Sequence, residues 1–168
     1  ATVNEMLLAA YFYSVYELAD FPISDQVMIS SAIDLRRHME TVADKGFTNH
    51  TAWMQCAIPE RGSDIFETVK YVVRSSNRFK KDKFMGLYGL PLLNFGYSIL
   101  PHAASEEIIK IGYSNPYMAM SNIGILKGNE LALMNKEPVD AFMSGAVKYK
   151  PFVLLTATTY KNVITLSM

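Results

Sequence analysis

The side chains that could perform catalysis are few and far apart in this sequence. Its three histidines, His38, His50 and His102, are widely separated, so none has a partner at a spacing that binds a metal ion. Cys56 lies in an apolar stretch typical of a strand, which favours a buried structural thiol over a nucleophile. No phosphate loop, dinucleotide fingerprint or serine nucleophile elbow occurs. The sequence therefore predicts no catalytic residue, no metal site and no bound cofactor.

The overall composition is that of one ordinary globular domain, spanning residues 1–168. Half of the residues are hydrophobic and 19% are charged, which excludes intrinsic disorder. Lysine plus arginine and aspartate plus glutamate each total 16, so the formal net charge is zero. This balance gives no electrostatic basis for binding nucleic acid.

Two further features bear on the compartment. The most apolar stretch, Phe84 to Leu100, is interrupted by glycines and by Pro91, and no run reaches the roughly 18 apolar residues of a membrane span. No signal peptide is recognised, and a lone cysteine fits a reducing environment. We therefore expect a cytoplasmic protein without a membrane span.

The first half of the chain predicts alternating helices and strands. Thr2 and Glu5 have the spacing of a capping box before a helix over Val3 to Leu18. The predicted buried face of that helix is Val3, Leu7, Tyr11, Val15 and Leu18. Strands are predicted over Gln26–Asp34 and Thr51–Ile58. Ser63 is the predicted N-cap of a second helix, whose buried stripe is Ile65, Val69, Val72, Ser76 and Phe79.

The second half predicts mostly strands. A helix over Phe84–Leu100 and a helical turn over Ser105–Ile111 precede them. The predicted strands are Met118–Leu126, Val139–Lys148, Pro151–Tyr160 and Val163–Met168. Lys161 and Asn162 form a two-residue hairpin connection, in which Asn tolerates the positive φ required. The pattern predicts an α/β two-layer fold, with a mixed, largely antiparallel sheet and helices packed on one face.

A series of short motifs, taken in order, resembles the superfamily of chloramphenicol acetyltransferase, nonribosomal-peptide condensation domains and alcohol acetyltransferases. The motifs are Ala1–Ala10, Ile33-Asp-Leu-Arg36, Ser121-Asn-Ile-Gly124 and Thr159–Leu166. They correspond to the second half of that family, so the chain is expected to be the C-terminal subdomain of a larger acyltransferase. The family's His-His-x-x-x-Asp-Gly motif is not found, because His38 is single and Asp44 follows it at a longer spacing. His38 is interpreted as a surface loop residue.

The resemblance implies roles for four residues. Ser121 and Asn122 would bind substrate by hydrogen bonds, or else close a turn before Gly124. Asp34 and Arg36 would support the site, with the Arg36 guanidinium pairing with the motif aspartate, although a solvent-facing arginine fits equally well.

The resemblance also implies partners. The co-substrate would be a thioester of coenzyme A or of carrier-protein phosphopantetheine, and the acceptor an amine or alcohol. The missing N-terminal subdomain would supply the histidine base, so the fragment is expected to be inactive alone and to self-associate through exposed apolar surface. The alternatives are a noncatalytic scaffold domain of the same fold and an unrelated α/β domain.

Overall fold

The structure is a computed structural model that describes residues 1–20, 22, 24–34, 51–81, 95–112, 117–145 and 153–168. Its helices are α1 (Val3–Leu18), α2 (Ile65–Lys81) and α3 (His102–Gly112). Its strands are β1 (Val27–Asp34), β2 (Thr51–Ile58), β3 (Met118–Leu126), β4 (Val153–Tyr160) and β5 (Val163–Ser167). Residues 95–99 are also helical, whereas the rest of the predicted helix Phe84–Leu100 lies mostly outside the described residues. Across the described ranges, no helix combines the length and apolarity needed to cross a bilayer.

The strands form one five-stranded sheet in the order β2-β1-β3-β4-β5. The central pairs β1–β3 and β3–β4 are parallel, whereas the outer pairs β1–β2 and β4–β5 are antiparallel. The mixed α/β sheet predicted from the sequence is therefore confirmed, and its antiparallel pairing is confined to the two edges.

The hydrophobic core lies between the first two helices and one face of the sheet. Leu8 and Phe12 of α1 and Val72 of α2 are fully buried there. The sheet contributes Val27, Ile29, Cys56, Ile58, Met120 and Leu155 to the same cluster. Because alternate residues of a strand point to opposite faces, these side chains mark a single face, and both helices cover it.

Cys56 is a core residue, as the sequence predicted, and its thiol is fully buried. Burial raises the pKa of Cys56 above its ordinary value. The Ser75 hydroxyl, by hydrogen bonding, lowers that pKa, and the nearby charge of Glu5 raises it. A thiol held in its neutral form inside the core is not a nucleophile.

A buried carboxylate connects the two core helices. The Thr2 amide donates to Glu5 Oε2 at 2.7 Å, and the Glu5 amide donates to Thr2 Oγ1 at 3.3 Å, so the predicted capping box is confirmed. The Ser76 hydroxyl of α2 donates to Glu5 Oε1 at 2.7 Å. Glu5 is only 4% exposed, and it therefore joins the start of α1 to the middle of α2.

The predicted buried face of α1 is confirmed at Tyr11, with Leu7 and Val15 partly buried beside the core, but it is wrong at both ends of the helix. Val3 and Leu18 are 61% and 87% exposed, whereas Leu8 and Phe12 are fully buried. The prediction followed apolar spacing alone and did not consider a buried position for the Glu5 side chain. Because the capping box and Ser76 satisfy the Glu5 carboxylate inside the protein, the helix is rotated so that the Glu5–Leu8–Phe12–Tyr16 side faces the core.

Helix α2 begins one residue later than predicted. The Asp64 carboxylate, not Ser63, accepts the Glu67 amide at 2.7 Å, which is the N-cap bond. Ser63 instead donates from its hydroxyl and its amide to Glu67 Oε2, both at 2.7 Å. These bonds from Ser63 lower the pKa of Glu67. The predicted buried stripe is confirmed at Val69, Val72 and Ser76.

The predicted strand Val139–Lys148 is wrong over residues 139–145, which run alongside β4 without strand pairing. Strand β4 already pairs with β3 and β5, so it has no backbone edge left for this segment. Residues 138–145, here termed the overlying segment, bond to side chains instead. The Thr156 hydroxyl donates to the Met143 carbonyl at 2.9 Å, the Met143 amide donates to Thr158 Oγ1 at 3.1 Å, and the Tyr160 hydroxyl donates to the Pro138 carbonyl at 2.7 Å.

The overlying segment lies over β4 on the sheet face opposite the helices. Thr156, Thr158 and Tyr160 alternate along β4 with the core residue Leu155, so they point to the other side. Gly145 is required by this close approach, since a Cβ there would lie 2.3 Å from Leu154 Cδ2. The predicted hairpin between β4 and β5 is confirmed, with positive φ at Lys161 and Asn162.

Replacing Leu8 with Ala should destabilise the protein more than replacing Leu7. Leu8 is fully buried, so truncation leaves a cavity and costs about 2–5 kcal/mol, whereas Leu7 is half-buried at the edge of the cluster. Denaturant unfolding monitored by circular dichroism measures both. Equal losses for the two variants would contradict the observed rotation of α1.

Ser76→Ala should lower the free energy of unfolding by about 1.5–3 kcal/mol, because it removes a donor to a buried carboxylate. Ser14→Ala, at an exposed position of α1, is the matched control and should change little. In a double-mutant cycle, Glu5→Gln should reduce the cost of Ser76→Ala. Additive effects of the two substitutions would show that the helices are not coupled through this bond.

Candidate functional site

The two central strands β1 and β3 share only a short ladder among the described residues. Their recorded pairs are Ser30 with Ala119 and Ser31 with Met120. Beyond these rungs, β1 continues to Asp34 along β2, and β3 continues to Leu126 along β4. The sheet therefore loses its central pairing toward the carboxyl ends of the parallel strands, which is the end where ligands bind in open α/β sheets. We term this region the β1–β3 opening.

Three of the four residues singled out in the sequence lie at this opening. Asp34 is the exposed last residue of β1, and it pairs with Thr51 of β2. Ser121 and Asn122 follow the last shared rung on β3 and are half-buried. Arg36 lies outside the described residues. The topology thus places Asp34, Ser121 and Asn122 on neighbouring strands at the same end of the sheet.

Asn122 has a local structural bond. Its Oδ1 accepts a hydrogen bond from the Gly124 amide at 2.9 Å. Gly124 has φ of +84°, and the β3–β4 register shifts between Asn122 and Gly124, so the side chain stabilises a β-bulge. Because the carboxamide oxygen is directed to this amide, the NH2 group of Asn122 is the part left to donate elsewhere.

Ser31 is a buried hydroxyl that the sequence reading did not single out. It is fully buried at the last rung of β1 and β3, paired with Met54 on one side and Met120 on the other. Its Oγ has no hydrogen-bond partner in the described part of the chain. A serine on the same strand face as Val27 and Ile29 is the sequence signal that could have identified it.

An apolar groove lies at the other end of the parallel strands. It has a volume of about 540 Å³ and is lined mainly by Tyr11, Val15, Leu18, Met118, Val153 and Met168. The Tyr11 hydroxyl donates to the Val153 carbonyl at 3.1 Å, and burial raises the pKa of Tyr11 to about 12. The phenol therefore stays protonated at neutral pH and acts as a structural donor, not as a base.

The described residues hold no cluster of His, Cys, Asp or Glu side chains that could bind a metal ion. His102 lies at the start of α3, whereas His38 and His50 fall outside the described ranges. The arrangement at the β1–β3 opening is thus one of hydroxyl, amide and carboxylate groups, which can bind and orient a polar substrate by hydrogen bonds.

Sequence and structure comparisons give different results. No protein-family model matches the chain, and a search of curated proteins found no match. The solved TRI3 trichothecene 15-O-acetyltransferase from Fusarium sporotrichioides is similar with a TM-score of 0.67 and 14% identity, over 98% of this chain and 36% of that one. Vinorine synthase is similar with a TM-score of 0.56 and 13% identity, over 93% of this chain and 35% of that one.

At these identities the similarity establishes the fold. The chain spans about a third of the length of each of the two structures, and the match extends over nearly all of its own length. Its five-stranded mixed sheet and helices agree with the architecture implied by the motif order in the sequence. The chain therefore shares the fold of about a third of each of these two solved structures.

Proposed function

We propose that this chain is the C-terminal subdomain of an acyltransferase that moves an acyl group from a thioester to an alcohol or amine. The observation that supports this is the fold similarity to an O-acetyltransferase over 98% of the chain. The polar groups at the β1–β3 opening, at the end of the sheet where open α/β folds bind ligands, agree with it. The thioester would belong to coenzyme A or to carrier-protein phosphopantetheine.

The reaction requires a general base, and no histidine lies among the described residues of the β1–β3 opening. The acceptor oxygen or nitrogen attacks the thioester carbonyl and loses its proton to the base, which gives a tetrahedral intermediate. The carbon–sulfur bond then breaks, and the protonated base returns the proton to the departing thiolate, which leaves as the thiol. In the described ranges Cys56 is buried with a raised pKa, and Tyr11 stays protonated. The base is thus proposed to come from a histidine of the N-terminal half, which makes this chain inactive alone.

Within this proposal, the chain binds and orients the substrate. Ser121 and Asn122 point to opposite faces of the sheet, since they pair with Thr156 and Ala157. The Ser121 hydroxyl and the Asn122 NH2 group would therefore donate to substrate oxygens on opposite sides of the sheet edge, the Asn122 oxygen being directed to Gly124. Asp34, at the end of β1, supports the site together with Arg36, which follows it closely in sequence. A thioester carbonyl gains negative charge as it is attacked, so donors placed at this edge would favour the transition state.

Ser31 extends the same proposal into the opening. A buried hydroxyl without a partner costs stability, of the order of 1–3 kcal/mol. A substrate oxygen or a bound water at the β1–β3 opening would satisfy it. Ser31 is therefore proposed as an additional donor at the base of the site.

Acyl transfer by the isolated chain is expected to be undetectable, whereas a protein that joins this chain to a base-bearing half should release coenzyme A from acetyl-coenzyme A when an alcohol or amine is supplied. In the joined protein, Ser121→Ala should lower kcat/KM by about tenfold, the loss of one substrate hydrogen bond. Gln55→Ala, at an exposed position of β2, should leave the rate unchanged.

Two results would contradict this account. Turnover by the 168-residue chain that disappears when one of its own residues is changed would show that it carries its own base. A joined, folded protein that transfers no acyl group to any acceptor would favour the noncatalytic scaffold domain.

Ser31→Ala should leave the free energy of unfolding unchanged or raise it by about 1 kcal/mol, because the substitution removes an unpaired buried hydroxyl. The same substitution should lower kcat/KM of the joined protein if the hydroxyl contacts substrate. Thermal melts and initial rates on the same preparations separate the two effects. A marked loss of stability would show that Ser31 has a structural partner.

A further inference from the structure

Strand β5 forms one edge of the sheet that the structure describes. It pairs with β4 from Thr156–Ser167 to Tyr160–Val163, and no described strand lies on its other side. Its sequence, Val-Ile-Thr-Leu-Ser, contains no charged residue and no proline. Natural edge strands are usually protected against pairing by such residues, so β5 lacks the common means of preventing strand addition.

The hairpin geometry determines which backbone groups of β5 face the open edge. Lys161 and Asn162 both have positive φ, as in a two-residue type I′ turn, so the closing pair Tyr160 and Val163 exchanges hydrogen bonds. Hydrogen-bonded and non-hydrogen-bonded pairs alternate along an antiparallel ladder. The amides and carbonyls of Ile164 and Leu166 therefore point away from β4.

The exposed apolar side chains of β5 are spaced so that they can pair with those of a second copy of the strand. In antiparallel pairing of two copies about Thr165, Ile164 of one copy lies opposite Leu166 of the other. Both side chains are about half exposed, at 49% and 52%. The two threonines meet on the axis. Apolar side chains then meet on one face of the ribbon, and their outward amides and carbonyls form the hydrogen-bonded pairs.

We propose that a second copy of this chain pairs with β5 in this register, so that two five-stranded sheets join across a two-fold axis. Ile164 and Leu166 lie on the same sheet face as Leu155, because Leu166 pairs with Ala157 of β4. That face also carries the apolar groove, where Met168 is 78% exposed. Pairing about a two-fold axis occupies both β5 edges and closes the assembly as a dimer. This inference does not depend on the proposed acyl transfer.

Sedimentation of the 168-residue chain over a wide concentration range tests the dimer. Leu166→Pro removes an outward amide without removing a bond to β4, a position where edge strands tolerate proline. It should raise the dimer Kd by at least about tenfold relative to Leu166→Ala, which keeps the amide. A monomer at all concentrations, or a dimer that Leu166→Pro leaves intact, would overturn the proposal.

A disulfide cross-link tests the register independently of any effect of proline on folding. Thr165→Cys places one thiol of each copy in a non-hydrogen-bonded pair on the axis, where strand spacing fits a disulfide. Cys56 is fully buried, so it gives no background. Under mild oxidation Thr165→Cys should form a covalent dimer, whereas Val163→Cys, which lies opposite Ser167, should not. Cross-linking through Val163→Cys in preference to Thr165→Cys would contradict this register.

Discussion

A single buried carboxylate fixes how the helical layer lies on the sheet. Glu5 accepts from the Thr2 amide and from the Ser76 hydroxyl, both at 2.7 Å, so the start of α1 and the middle of α2 are joined by one side chain. A buried charge is tolerated only where its acceptor positions are occupied. This requirement sets the rotation of α1, and with it the core positions of Leu8 and Phe12 beneath which β1 and β2 pack. The rotation of α1 on the sheet therefore follows from satisfying one polar group.

The hydrophobic core and the β1–β3 opening occupy different parts of the sheet. Its helix-covered face carries the core, and residues 138–145 lie over β4 on the opposite face. The β1–β3 ladder ends before the carboxyl ends of these two strands, so the strands part there. The parting is possible because each strand has another partner, β2 for β1 and β4 for β3. Polar side chains can thus lie at the centre of the sheet edge without leaving either strand unpaired.

Capping and turn residues correctly predicted the bounds of elements that depend on short stretches of sequence. Helix α1 and strand β2 have the predicted bounds, since the capping box and the turn residues act over a few positions. The predictions were wrong where a side chain distant in sequence determines the local structure. The buried side of α1 depends on Ser76, and residues 139–145 bond to threonine side chains of a strand whose edges are filled. The candidate site was proposed from motif order alone, because the β1–β3 opening brings together residues from the first and last thirds of the chain. Ser31 belongs to no motif.

The parallel centre of the sheet has a consequence for the order of folding. The β4–β5 hairpin is closed by two residues and can form within microseconds, whereas the β1–β3 ladder needs contacts between segments far apart in the chain. During synthesis, α1, β1, β2 and α2 leave the ribosome before β3 exists. The side of β1 that pairs with β3 therefore stays unpaired until Met118 and the residues after it have been synthesised. In this interval a nascent chain would rely on chaperones to prevent incorrect strand pairing at β1.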